Sequence, residues 1–224
     1  MLQAETSASA SRRATPKTQS ALLEAMQERQ VTVLGETHRL QEPFLVLATQ
    51  NPVEMEGTYP LPEAQLDRFL FKVLIPFPSE KELSAILAHD AASLSDKVQS
   101  VLDAATVEAW RATVLQLPAP DFAVQLAARL VLNTHPNRPD VLDVVRKYVR
   151  FGASPRAGQA MLMGARFRAL RSSRTHVARE DVLAFALPSL RHRLVLNFEA
   201  AADRVSADEI VAKVLEATSR ERTE

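Results

Sequence analysis

The chain has 224 residues, enough for one large domain or two small ones, and no cysteine, which excludes a disulfide framework and a thiolate metal site. Lysine plus arginine equals aspartate plus glutamate at 27 each, so net charge gives no general attraction to nucleic acid, while 46% hydrophobic and only 5% aromatic residues call for an aliphatic, leucine- and alanine-rich helical core. No run is long enough to span a membrane and the opening residues lack a signal peptide's apolar centre, so a soluble, cytoplasmic protein without membrane insertion is expected.

Residues 1–13, MLQAETSASASRR, are small, polar and low in complexity, and are expected to be disordered. A helix is predicted from Pro16, with proline at its first position and Ala21, Leu22, Ala25 and Met26 on one face. Two β-prone arms, Val31–Leu34 and Thr37–Leu40, flank Gly35-Glu36 and predict a hairpin. Phe44–Ala48 has no polar residue to mark an exposed face and predicts a buried strand. Its end delivers Thr49-Gln50-Asn51, a place where α/β proteins put ligand-handling groups. Pro60 and Pro62 then introduce a short helix, Glu63–Arg68, before a second strand over Phe69–Ile75.

Beyond Pro76-Phe77-Pro78 the pattern turns helical almost to the end. Ser79 and Glu82 form a capping box, as do Ser206 and Glu209. Three apolar stripes follow: Phe122, Leu126 and Leu130 beside Ala123 and Ala127; Ala160, Met163, Phe167 and Leu170; and Val182, Leu183, Ala186, Leu187 and Leu190. Each stripe needs the others for burial, which predicts a helical bundle. Nine arginines crowd residues 150–193 against Glu180 and Asp181, and their helical spacing predicts solvated faces rather than a nucleic-acid surface. His38 is expected to be exposed, and no His/Asp/Glu cluster has metal-ligand spacing.

An α/β part followed by a helical part is also the plan of AAA+ ATPases. The segments ALLEAMQERQVTV, FLVLATQNPVEMEGTYPLPEAQLDRF and GASPRA resemble the MoxR branch of that family, relatives of the magnesium-chelatase motor subunit. The resemblance runs from about Arg13 to the last helices. It implies an α/β remnant of an AAA+ nucleotide-binding core over residues 14–78, and an all-α lid bundle over residues 79–224.

The resemblance also implies roles for three residues. Asn51, by itself a turn starter before proline, matches sensor 1, where an amide that both donates and accepts can orient the attacking water. Arg68, by itself a cation favoured by a helix C-terminus, matches the arginine finger, whose planar guanidinium stabilises charge on a neighbouring subunit's transferring phosphoryl group. Arg156 follows Ser154 and Pro155 at a predicted helix start, an anion-attracting position, and matches sensor 2, the lid residue that couples closure to nucleotide. The Val31–Leu40 hairpin matches the hairpin preceding sensor 1, which faces the pore of the ring or a partner.

ATP with Mg²⁺, a homo-oligomeric ring (a hexamer), and partner proteins carrying von Willebrand factor A domains are implied in the same way, as is a role in ATP-driven remodelling or maturation of protein complexes. Two family parts are missing from these 224 residues. None of the five glycines precedes a lysine, so there is no phosphate-cradling P-loop. No apolar strand ends in Asp-Glu to form a Walker B site; Asp208-Glu209 belongs to a helix start. A chain with the sensing and triggering residues but no cradle is expected to be inactive alone. A non-catalytic module joining a complete MoxR paralogue's ring is the alternative.

Overall fold

A computed structural model describes residues 24–33, 35–50, 62–88 and 99–220. The expectations for residues 1–13, for the helix start at Pro16 and for Asn51 concern positions outside that set. Residues 24–28 are helical, with Ala25 buried. They lead into the predicted hairpin, β1 (Gln30–Val33) against β2 (Glu36–Arg39), antiparallel with Val31 opposite His38. Gly35 sits in its turn at φ 88°, a conformation that side chains with a Cβ rarely adopt. His38 is exposed as expected.

The two predicted strands that follow are corrected. Phe44–Ala48 is irregular and leaves Leu45 and Leu47 each 75% exposed; Phe69–Ile75 is irregular too, with Ile75 90% exposed. A strand exists only where a neighbour completes its hydrogen-bond ladder, and among the described residues none lies beside either segment. Between them stands one helical turn, α1 (Glu63–Leu66).

Ser79 starts α2 (Glu80–Ala88) through the predicted capping box: its backbone N–H donates to Glu82 Oε2 at 2.8 Å, and the Glu82 N–H points back to Ser79 Oγ at 3.4 Å. Asp103 caps α3 (Ala104–Gln116) by accepting from Thr106 N at 2.7 Å. Neither helix buries a residue, so the core does not begin at Ser79. It begins at Leu117 and is built by α4 (Asp121–Leu132), α5 (Asp143–Tyr148), β3 (Val149–Phe151), α6 (Pro155–Arg171), α7 (Arg179–Leu190) and, past β4 (Val195–Leu196) and α8 (Phe198–Ala202), α9 (Ala207–Arg220). β3 and β4 form a small antiparallel ribbon with Val149 opposite Leu196.

The stripe on α4 is as predicted at Ala123, Leu126, Ala127 and Leu130, but Phe122 stands 46% exposed beside it. On α7, Val182, Ala186 and Leu190 are fully buried, while Leu183 and Leu187 are half-buried at the edge of the core. On α6 the predicted stripe is right at Ala160, fully buried, and at Leu170, packed on the edge of the core, but not at Phe167, which is 53% exposed; the inward phase is carried by Ala157, Met161, Ala165 and Ala169. Gly164 sets that phase, because a Cβ there would overlap the Phe185 ring of α7, so the two helices meet at the glycine. Each fully buried side chain such as Leu130, Met161, Leu190 or Ile210 contributes about 1.5–3 kcal/mol. The lid's stability therefore lies in this four-helix contact. No helix among the described residues is long and apolar enough to cross a membrane.

Candidate functional site

The turn that closes α1 carries Asp67 and Arg68, and consecutive residues of a helical turn point about 100° apart. Asp67 faces the lid. Its Oδ1 accepts from Ser154 Oγ at 2.6 Å and from Arg193 Nε at 3.0 Å, and its Oδ2 accepts from Arg156 Nη1 at 2.9 Å. Burial alone would raise the Asp67 carboxyl's pKa. The hydrogen bonds from Ser154 and Arg156 and the charge of Arg193 outweigh it, and the group is held below the usual aspartate range.

GASPRA supplies two of those partners, and its residues explain themselves in turn. A Cβ on Gly152 would come 2.8 Å from the His135 ring and from Thr134 O, so only glycine fits under that loop. Ala153 is fully buried and its N–H donates to Thr134 Oγ1 at 2.9 Å. Ser154 caps α6 through Arg156 N at 3.2 Å, with Pro155 in the first turn. The predicted helix start is present, and Arg156 projects from it with its side chain 52% exposed.

Arg193 is the residue that sequence reasoning missed. Its side chain is 2% exposed, and burial pushes its pKa down against the pull of Asp67. The guanidinium is spent on backbone: Nη2 donates to Asp67 O at 2.9 Å and Phe69 O at 2.6 Å, and Nη1 to Leu70 O at 3.3 Å and Ser189 O at 2.5 Å. His192 Nε2 donates to Phe69 O at 3.0 Å, and burial lowers its pKa to about 4, so the ring is neutral. Lys72 N donates to Pro188 O at 2.9 Å. Residues 69–72, predicted as the start of a strand, are instead clipped beside the end of α7 by the Arg193 and His192 side chains and one backbone bond. The RHR run at 191–193 was the available signal, but its spacing reads equally as a helix face.

The expectation of solvated faces holds for Arg150, Arg156, Arg168 and Arg171, which are exposed, and is corrected for Arg166, Arg174, Arg179, Arg191 and Arg193, which are at least half-buried and bind within the fold. Arg174 grips the buried Asp181 with two bonds of 2.5 and 2.6 Å, which hold that carboxyl's pKa low. Arg166 donates to Leu117 O, Arg168 to Glu180 O and Arg179 to Thr218 O, and Arg191 pairs with Asp208.

Arg68 faces away from the lid core. The Gln27 amide, with its oxygen turned toward Arg68, accepts from both terminal nitrogens, and Arg68 Nε is buried without a partner among the described residues. Arg68 and Arg156 nevertheless share an open recess of about 350 Å³, lined also by Met26, Gln27 and Glu28. The structure thus brings together two of the three predicted residues. Two guanidiniums suit phosphate oxygens, which accept such forks. Among the described residues no group of three or more His, Asp or Glu gathers as metal ligands.

Comparison with known proteins places the chain as a whole. Residues 7–71 match the ATPase family associated with various cellular activities (AAA), and residues 143–214 match the AAA lid domain. Chaperone MoxR1 of Mycobacterium tuberculosis is 40% identical over 208 residues, covering 91% of this chain and 54% of that protein. Protein YeaC of Bacillus subtilis is 39% identical over 208 residues, covering 92% and 62%. A solved structure from Cytophaga hutchinsonii, assigned as an ATPase, superposes with a TM-score of 0.81 at 36% identity, covering 91% of this chain and 62% of that one. The chain spans about half to three-fifths of the length of these relatives. With an AAA match over its first part, a lid match over its helices and MoxR relatives along nine-tenths of its length, the chain belongs to the MoxR family of AAA+ ATPases.

Proposed function

We propose that this chain supplies the sensing and triggering half of a MoxR-type ATPase whose work is the ATP-driven, chaperone-like remodelling or maturation of protein complexes. Residues 14–78 serve as the end of the nucleotide core and residues 79–224 as the lid. Asn51 is sensor 1, Arg156 sensor 2 and Arg68 the arginine finger. The setting is a cytoplasmic homo-oligomeric ring, a hexamer, with clients or adaptors that carry von Willebrand factor A domains.

The observation that carries the reading is the recess shared by Arg68 and Arg156. ATP with Mg²⁺ brings the transferable phosphoryl group, and the part of this chain is to offset the charge that builds on its oxygens. Because both arginines line one recess, both are suited to the same phosphate group. If Arg68 serves a neighbour's nucleotide, Arg156 serves that nucleotide too.

The P-loop and Walker B carboxylates absent from these 224 residues must then come from another polypeptide segment. Mixing the purified chain with a separately made P-loop half of a MoxR protein tests this directly. Mg²⁺-dependent turnover that neither piece shows alone is the expected outcome, and no turnover in a stably formed complex would refute it. The alternative, a module that joins a complete paralogue's ring without adding activity, is favoured by the exposed apolar side chains Leu45, Leu47, Val73, Ile75 and Phe77. It predicts co-assembly with the full-length protein and unchanged or lowered turnover.

A further inference from the structure

Asp67 holds Arg156 across the junction between the two parts of the chain, yet its three side-chain partners are unequal. Ser154 Oγ at 2.6 Å and Arg193 Nε at 3.0 Å both take Oδ1. Arg193 is 2% exposed and bound to four backbone carbonyls, so it cannot leave without unfolding the clip. Arg156 alone takes Oδ2, through Nη1, with half its side chain in solvent. Asp67 is 16% exposed, so it is the Arg156 end of the pair that lies open to solvent and is free to exchange partners. Loss of that pair leaves Asp67 hydrogen-bonded to Ser154 and paired with Arg193.

We propose that Asp67 is a positioning residue that acts as a latch: its carboxylate occupies Arg156 while the recess is empty and yields it to an entering phosphate. This deepens, and rests on, the reading of the recess as a phosphate site. Arg156 is anchored at the N-terminus of α6 by the Ser154 cap, so its backbone stays and its guanidinium changes partner. Arg68 follows Asp67 directly in the chain. The carboxylate that releases one arginine therefore sits on the turn that aims the other, and Glu28 adds a second carboxylate to the lining of the recess.

Inorganic tripolyphosphate is a suitable probe, titrated into the 224-residue chain and its D67N, R156A and R68A variants. Removing one competing unit charge at contact distance in water should tighten D67N by about fivefold over wild type. R156A should lose most of the binding. In wild type, saturation should also move the Asp67 carboxyl carbon resonance, because Arg156 has left it; this second readout decides the matter if D67N does not fold. Equal or weaker binding by D67N, or an unmoved Asp67 resonance at saturation, overturns the latch while binding lost in R156A keeps the recess. Binding insensitive to both arginines, or none in any chain, removes the phosphate reading and the latch with it.

Discussion

Arg193 Nε lies 3.0 Å from Asp67 Oδ1 across 126 positions of sequence, and the same guanidinium reaches the carbonyl of Asp67 itself and those of Phe69 and Leu70 after it. One side chain thus stands in for the neighbouring strand that Phe69–Leu70 lacks among the described residues. Such a bond set both compensates a half-buried carboxylate and satisfies backbone acceptors that burial would otherwise leave unpaired.

Arg193→Met should therefore do more harm than an ordinary core change. It removes the buried one of the two cations paired with Asp67 and takes the side-chain donor from the Asp67 and Leu70 carbonyls together, a loss of about 3 kcal/mol. Urea unfolding gives the magnitude, and hydrogen exchange gives the location. Faster exchange should appear at Lys72, whose N–H bonds to Pro188 O in the same clip, while α4 and α6 change less. Uniformly faster exchange through the whole lid would mean that the clip is not a separate unit.

What was legible from sequence and what was not divide along the same line. The boxes at Ser79/Glu82 and Ser206/Glu209, the Gly35 hairpin and the α6 start at Ser154-Pro155 are readable because each is settled within a few residues. The strands at 44–48 and 69–75 were misjudged because apolar composition reports burial, whereas a strand also needs a ladder partner. Arg193 was invisible for the complementary reason. Three of its partners are carbonyls more than a hundred positions away, and a backbone acceptor leaves no mark in composition. The phase of α6 turned on one contact, Gly164 against Phe185, which no periodicity of α6 alone contains.

Gly164→Ala tests that contact. In an open helix the change would gain about 1 kcal/mol of helix propensity. Here the added methyl meets the Phe185 ring, which is itself packed on Phe71 at 5.3 Å between centroids. Overpacking should win and leave the protein less stable by about 1–2 kcal/mol. In a Phe185→Leu background the same alanine should become neutral or stabilising. If it stays equally harmful there, the helices are spaced by something other than that ring.

His192 gives the lid a pH dependence with a definite sign. Burial lowers its folded pKa to about 4 from an ordinary 6.5. Its Nδ1 is buried without a partner among the described residues, so a proton added there finds no acceptor. Between those two values the unfolded chain binds the proton and the folded chain does not. Stability is thus full above pH 6.5 and declines as the pH falls toward 4. His192→Gln keeps a donor for Phe69 O and cannot titrate. The gap between the two proteins in urea midpoint should shift in favour of the variant as pH drops through that window, and parallel curves would remove His192 as the cause.

Nucleotide binding by the 224-residue chain alone is a separate matter. Arg68 and Arg156 offer charge but no cradle of backbone N–H groups, and no P-loop lysine is present in the sequence. Calorimetry should show only weak, salt-sensitive phosphate contacts, lost at high ionic strength. Saturable, Mg²⁺-dependent ATP binding at micromolar concentration would require a site outside the recess.

In a ring whose subunits join this chain to a P-loop half, Arg68→Ala should leave nucleotide affinity nearly unchanged and lower turnover by about 10³-fold or more, the usual weight of an arginine finger. Arg156→Ala should lower turnover as well and weaken nucleotide binding, because that side chain meets phosphate in the ground state. The shared recess adds a constraint on how the two defects combine. Subunits carrying Arg68→Ala, mixed with subunits broken in the P-loop, should regain activity, since an interface with one intact part from each can form. Arg156→Ala subunits should be rescued by the same mixing if both arginines serve one neighbouring nucleotide. Rescue of Arg68→Ala without rescue of Arg156→Ala would assign Arg156 to its own subunit's nucleotide and separate two residues that the recess brings together. Rescue of neither, with wild-type turnover for Arg68→Ala alone, would return Arg68 to the role of a cation at a helix end.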